Sequence, residues 1–138
     1  MSLTHPPTAL YQRAVRSGDM LIVSGQLPVR DQTVIHAGRV GAEVTVEQAQ
    51  EAAALAAQRC LDVLRAELGS LDAVRRVVRI GGYVAAADGF FDAPAVVNAA
   101  SRTVLDALGS RGEHARVALG VASLPLNSCV EIEMSVEC

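Results

Sequence analysis

The sequence predicts an α+β fold in which two helices cover one face of a sheet. Two observations carry this. Segments 46–68 and 93–108 have helical period and stand on either side of one run rich in β-branched residues. A hairpin signal precedes the first helix, and two alternating segments close the chain. The element order is β-β-α-β-α-β-β. At 138 residues the chain is long enough for one domain and too short for two ordinary ones, so 1–138 is taken as a single domain.

Segments 12–15 and 20–24 flank Ser17-Gly18-Asp19, a turn signal that makes them a hairpin. Residues 31–41 carry glycines and polar groups without a period and are expected to form a loop. Thr45 opens the first helix, with Gln48 three residues on, the spacing of a capping box. Along Val46–Leu68 the stripe Ala53, Ala57, Leu61, Leu64, Leu68 keeps helical spacing, and Gly69 supplies the stop. Its alanines let the helix lie close against a sheet. Segment 74–86 reads as a long strand, in which Gly81-Gly82 predict a bulge or close packing by another backbone. Asp92 caps the second helix, Ala93–Leu108, with Pro94 in its first turn and Gly109 at its end.

In segment 116–122, Val117, Leu119 and Val121 face one way, and Arg116, Ala118, Gly120 and Ala122 the other. In Val130–Glu137, Val130, Ile132, Met134 and Val136 alternate with Glu131, Glu133, Ser135 and Glu137. With both helices on one face, the second face is bare in a single copy, and association through it is expected.

Composition narrows the function classes. Hydrophobic residues make up 51% of the chain, with two Phe, two Tyr and no Trp, so the core is built from small side chains. Twelve basic and 15 acidic residues leave a net charge of -3, which argues against charge-driven nucleic-acid binding. Cys60, Cys129 and Cys138 lie far apart, without a CxxC pair or a His at ligand spacing. Neither a disulfide framework nor a metal site is indicated. Met1 to Thr8 lacks the pattern of a signal peptide, and no apolar run has the length of a membrane span. A soluble protein of the cytoplasm with reduced thiols is expected.

Arg116 is the most informative polar residue. Its neighbours on the strand face are Ala118, Gly120 and Ala122, so a guanidinium there has room to hold a carboxylate bidentately. An ordinary exposed strand arginine fits the pattern slightly better. Glu131 could orient or activate a water, although three solvated glutamates on an outward face fit the alternation better. Tyr11, Ser24 and Asn98 each carry a hydrogen-bonding group, and each is more often structural. Cys129 has no His or cation nearby in sequence, so a packed thiol is expected rather than a nucleophile. His5, His36 and His114 are scattered; His114, two residues from Arg116, reads as a surface histidine or as the rim of the same pocket. Neither glycine pair has the spacing of a phosphate loop.

The segment ARVALGVASLPLNSCVEIE, 115–133, resembles the signature of the Rid (YjgF-like) family, in which an arginine strand leads through Leu-Pro to a Val-Glu-Ile-Glu strand. LIVSGQLPV at 21–29 is similar to the family's Ser-Gly-Gln-x-Pro element, and Val97-Asn98-Ala99 matches its Val-Asn-Ala. This resemblance implies a chorismate-mutase-like fold with a mixed sheet, assembled as a homotrimer with pockets at subunit interfaces. It implies hydrolytic deamination of 2-imino or enamine acids to 2-keto acids and ammonia, with no cofactor and a small carboxylate metabolite as the partner. Arg116 would then anchor the carboxylate and Glu131 orient the water, with Tyr11, Ser24, Gly25, Asn98 and Ala118 lining the pocket. Ala118 replaces the cysteine that deaminating members carry, and Ala9-Leu10 replaces their Gly-Pro. The chain therefore resembles a divergent branch. A carboxylate-binding trimer without turnover is the alternative, and ribonuclease or translation-inhibitor activity a weaker one.

Overall fold

The computed structural model describes residues 9–138, so His5 lies outside the described residues. Strands β1 (Ala14–Ser17) and β2 (Met20–Gln26) form a hairpin. Its turn needs Gly18, which sits at φ +60°, a conformation that L side chains rarely adopt. Two short strands follow, β3 (Val29–Arg30) and β4 (Thr33–Val34), paired with each other through a turn at Asp31-Gln32. This hairpin falls partly within the stretch expected to be a loop. Both turn residues have positive φ without being glycine, which removes the usual sequence signal.

Helix α1 spans Val46–Leu68 and is closed at both ends as its sequence predicts. Thr45 Oγ1 accepts from the Gln48 amide at 3.1 Å, and Gln48 Oε1 accepts from the Thr45 amide at 3.0 Å. Gly69 ends the helix in the left-handed conformation. Its buried side chains are mainly alanine, with Cys60, Leu61, Val63 and Leu64, which lets the backbone approach the sheet. Strand β5 (Arg76–Ala85) leads to helix α2 (Ala93–Leu108), capped by Asp92, and then to β6 (Ala115–Val121) and β7 (Val130–Glu137).

The five long strands form one mixed sheet in the order β1-β2-β7-β5-β6. β5 and β6 run parallel around α2, and the remaining neighbours pair antiparallel. The helices pack on one face, where Val23, Ile80, Val84, Val130, Ile132, Met134 and Val136 are buried. Burying this face against two helices is the main stabilising term, at roughly 25 cal/mol per Å² of apolar surface. Val15, Ile22, Val78 and Leu119 are exposed.

The glycine pair in β5 does not form a bulge. The irregularities lie between Val77 and Arg79 and between Val23 and Gln26. Gly81 and Gly82 instead admit side chains, not another backbone. A Cβ on Gly82 would stand 2.5 Å from the Val97 methyls of α2, and one on Gly81 2.7 Å from Glu133 Cγ.

Candidate functional site

The strand register sorts the polar candidates onto two faces. Arg116 pairs across to buried Ile80 and Ala118 to Gly82, beneath Val97, so both lie on the helix-covered face. Glu131 pairs with Tyr83 and Glu133 with Gly81, on the face without helices. Arg116 and Glu131 of one chain therefore lie on opposite faces of the sheet.

On the helix side, α2 supplies Asn98 and Ser101, one turn apart and hence on the same helix face. Arg116 Nη1 donates to Asn98 Oδ1 at 2.8 Å and to Ser101 Oγ at 3.2 Å. These bonds use both protons of Nη1. Nε and Nη2 have no protein acceptor among the described residues, and they form the edge that matches a carboxylate bidentately. Beyond Ser101 stands His114, whose Nε2 is 2.8 Å from Ser101 Oγ and whose Nδ1 is 2.6 Å from the Gly112 carbonyl. His114 is thus half-buried and engaged at both nitrogens, not a free surface histidine. Ala118, next along the strand face, lines a cavity of about 600 Å³ with Arg39, Phe90, Phe91, Pro94 and Gly120.

Near the end of β2, Glu131, Gly25, Tyr11, Gln26 and Arg59 line a second cavity of about 110 Å³. Gly25 matters because a Cβ there would come within 3.0 Å of the Glu131 carboxyl carbon. Ser24 is structural at this point: its Oγ donates to the Gln12 carbonyl at 2.6 Å and its amide to the Arg13 carbonyl at 2.8 Å. These bonds fasten the segment that follows Tyr11 to β2. Burial pushes the Glu131 carboxyl above the usual carboxylate range, and the charge of Glu133 adds to the effect. Glu133 is not solvated like an isolated glutamate, because it accepts from Arg79 Nη1 at 2.9 Å and from the Tyr83 hydroxyl at 2.5 Å. The Tyr83 hydroxyl is raised by that bond and by burial.

Arg59 was not marked by any sequence pattern. Its Nη1 donates to the Val29 carbonyl at 3.2 Å, while its buried Nε and Nη2 have no partner. Ser101 was likewise unmarked, though its position three residues after Asn98 on a helix was the available signal. Cys129 is fully buried, and burial pushes its thiol up to about 11, as befits a packed side chain. Among the described residues no helix is long and apolar enough to cross a membrane.

Residues 3–138 match the family described as Endoribonuclease L-PSP. The chain belongs to that family, the Rid (YjgF-like) group. Protein TCP17 of Trypanosoma cruzi is 40% identical over 132 residues, which cover 95% of this chain and 82% of that protein. The solved structure of Atu1372 from Agrobacterium tumefaciens, of unknown function, is 43% identical with a TM-score of 0.91, covering 92% of this chain and 82% of that one. TdcF of Escherichia coli, solved with bound serine, shares the fold at 22% identity and a TM-score of 0.64, covering 94% and 89%. As an L-PSP member, the chain has the α+β architecture of two helices on a mixed sheet that its sequence predicts.

Proposed function

We propose that the protein hydrolyses small 2-imino or enamine acids to 2-keto acids and ammonia, at a site completed between neighbouring copies in a homotrimer. The observation that carries this reading is the state of Arg116. Its Nη1 is fully used in orientation by Asn98 and Ser101, and its Nε–Nη2 edge is left for a ligand carboxylate. A carboxylate held there has fixed register, so the carbon next to it is also positioned.

Glu131 supplies the chemistry that the arginine cannot. A half-buried carboxyl with a raised proton affinity is suited to general acid-base work near neutral pH. Water oxygen bonds to the imine carbon while Glu131 takes its proton. Glu131 passes that proton to the imine nitrogen, which completes the amino-alcohol. It then takes the hydroxyl proton and hands it to the same nitrogen, so that the C–N bond breaks and ammonia leaves as the C=O forms. The step balances with water as the only co-reactant. Because Arg116 and Glu131 lie on opposite faces of one sheet, the reading requires Arg116 of one copy to meet Glu131, Gly25 and Tyr11 of the next. The bound serine of TdcF belongs to the same ligand class, but at that identity the likeness carries only the fold. Free Cys60, Cys129 and Cys138 fit a reducing, cytoplasmic setting.

A carboxylate-binding trimer without turnover is the second reading, favoured by Ala118 where deaminating relatives carry a thiol. Ribonuclease activity gains little support: His36 is paired with Glu51 and His114 with Ser101 and Gly112. The test is keto-acid release from 2-iminobutanoate, generated in place by a threonine dehydratase, with wild type and Arg116→Ala compared. Acceleration by wild type alone supports the deaminase. Acceleration by neither, with 2-ketobutanoate still bound by wild type, supports the binding reading.

A further inference from the structure

We propose that Ser101 and His114 form a one-way hydrogen-bond relay that positions Arg116 for its ligand, which makes both residues determinants of carboxylate affinity in the site described above. The proposal rests on the reading of Arg116 as the carboxylate anchor.

The direction of the relay follows from its far end. The Gly112 carbonyl can only accept, so His114 Nδ1 carries the proton of that 2.6 Å bond. In the neutral ring Nε2 is then an acceptor, and at 2.8 Å the Ser101 hydroxyl must donate to it. With its proton committed, Ser101 Oγ offers lone pairs to Arg116 Nη1 at 3.2 Å. With the ring neutral, the sequence of donors is Arg116 to Ser101 to His114 to the Gly112 carbonyl.

Two features set this apart from incidental surface bonding. A helical Ser or Thr ordinarily turns its hydroxyl back to the carbonyl four residues earlier. Thr103 does so, donating to the Ala99 carbonyl at 2.9 Å. Ser101, on the same helix, gives its proton to a residue outside the helix instead. The second feature is Gly112. A Cβ there would stand 2.8 Å from the Val104 carbonyl oxygen, so glycine lets the turn at Gly109–Gly112 lie directly on α2. That close approach sets His114 beside Ser101 just before β6 begins. The relay ties three elements (α2, the turn and β6) to one guanidinium.

Neither residue is proposed to touch the reacting atoms. An anchor that grips the carboxylate equally in ground and transition states contributes to binding and not to the chemical step. Loosening it raises KM and the dissociation constant and leaves kcat in place. The experiment measures 2-ketobutanoate binding by calorimetry, and imine turnover, for wild type, Arg116→Ala, Ser101→Ala, His114→Ala, His114→Gln and Ser101→Ala/His114→Ala. Ser101→Ala and His114→Ala are expected to raise Kd and KM about tenfold, with kcat within about twofold of wild type. His114→Gln, whose amide oxygen can accept from Ser101, restores most of the affinity. Because His114 acts only through Ser101, the double variant should be no weaker than Ser101→Ala alone. Wild-type Kd in Ser101→Ala, additive losses in the double variant, or a fall in kcat at constant KM would overturn the relay. If Arg116→Ala binds 2-ketobutanoate as wild type does, the anchor reading fails and the relay with it. If Arg116→Ala alone loses binding, the anchor stands and only the relay is rejected.

Discussion

The two polar regions of this molecule are built to different standards. Around Arg116 the chain completes its own network: Asn98, Ser101, His114 and the Gly112 carbonyl fix the guanidinium before any ligand arrives. Around Glu131 the chain supplies space and burial. A glycine opposite the carboxyl, a small cavity and a raised proton affinity define that region, and among the described residues Glu131 has no ion pair. The contrast teaches that orientation is assigned to the cation and proton affinity to the carboxyl. In the proposed reaction each serves as a half-site, and both are needed.

The largest expected effect breaks the cationic half. Arg116→Ala should lower kcat/KM for an imino acid by about a thousandfold, as loss of a bidentate charged contact does, while the melting temperature stays close to wild type. Steady-state turnover with a parallel melting curve checks this. Gly25→Ala breaks the other half sterically. The new methyl displaces the carboxyl end of Glu131, a flexible group, so turnover should fall about tenfold with little change in stability, measured by the same pair of assays.

A smaller effect sharpens the comparison through pH. Between the ordinary carboxylate value and the raised one, the folded protein binds more protons at Glu131 than the unfolded chain does. Stability contributed by this group therefore falls as pH rises through that window. Glu131→Gln removes the cost of burying the charge. It should raise the melting temperature at pH 7 by on the order of 2 °C and leave it unchanged below pH 4. Thermal melts at the two pH values check the sign. An equal shift at both would mean that packing, and not ionisation, is responsible.

The parts of the fold that were legible in the sequence are those with local punctuation. Both helices match their expected limits, Val46–Leu68 and Ala93–Leu108, because Thr45, Gln48, Gly69, Asp92 and Gly109 mark their ends chemically. β7 matches as well, since its alternation runs uninterrupted from Val130 to Glu137. β1 lies two residues later than expected, at Ala14–Ser17, because an exposed edge strand has no burial pattern to set its limits. The β3–β4 hairpin was hidden by non-glycine turn residues, and the parallel pairing of β5 with β6 is a long-range fact without a local signal.

The site divides in the same way. Arg116, Glu131, Gly25, Asn98 and Tyr11 could be named from motif, but their separation onto two faces follows only from strand register. Ser24 turned out to brace the chain after Tyr11. Ser101 was unmarked, and His114 stood open between surface and pocket rim, because their contact depends on how closely the turn at Gly112 packs on α2.

The most direct test of the account is subunit complementation. Arg116→Ala and Glu131→Gln are each purified inactive, unfolded together, refolded as an equal mixture and assayed for keto-acid release. If Arg116 of one copy works with Glu131 of its neighbour in a closed trimer, random mixing leaves about a quarter of the interfaces with both groups intact, and about that share of wild-type activity returns. A mixture that assembles into mixed trimers and remains inactive would contradict a site shared between copies.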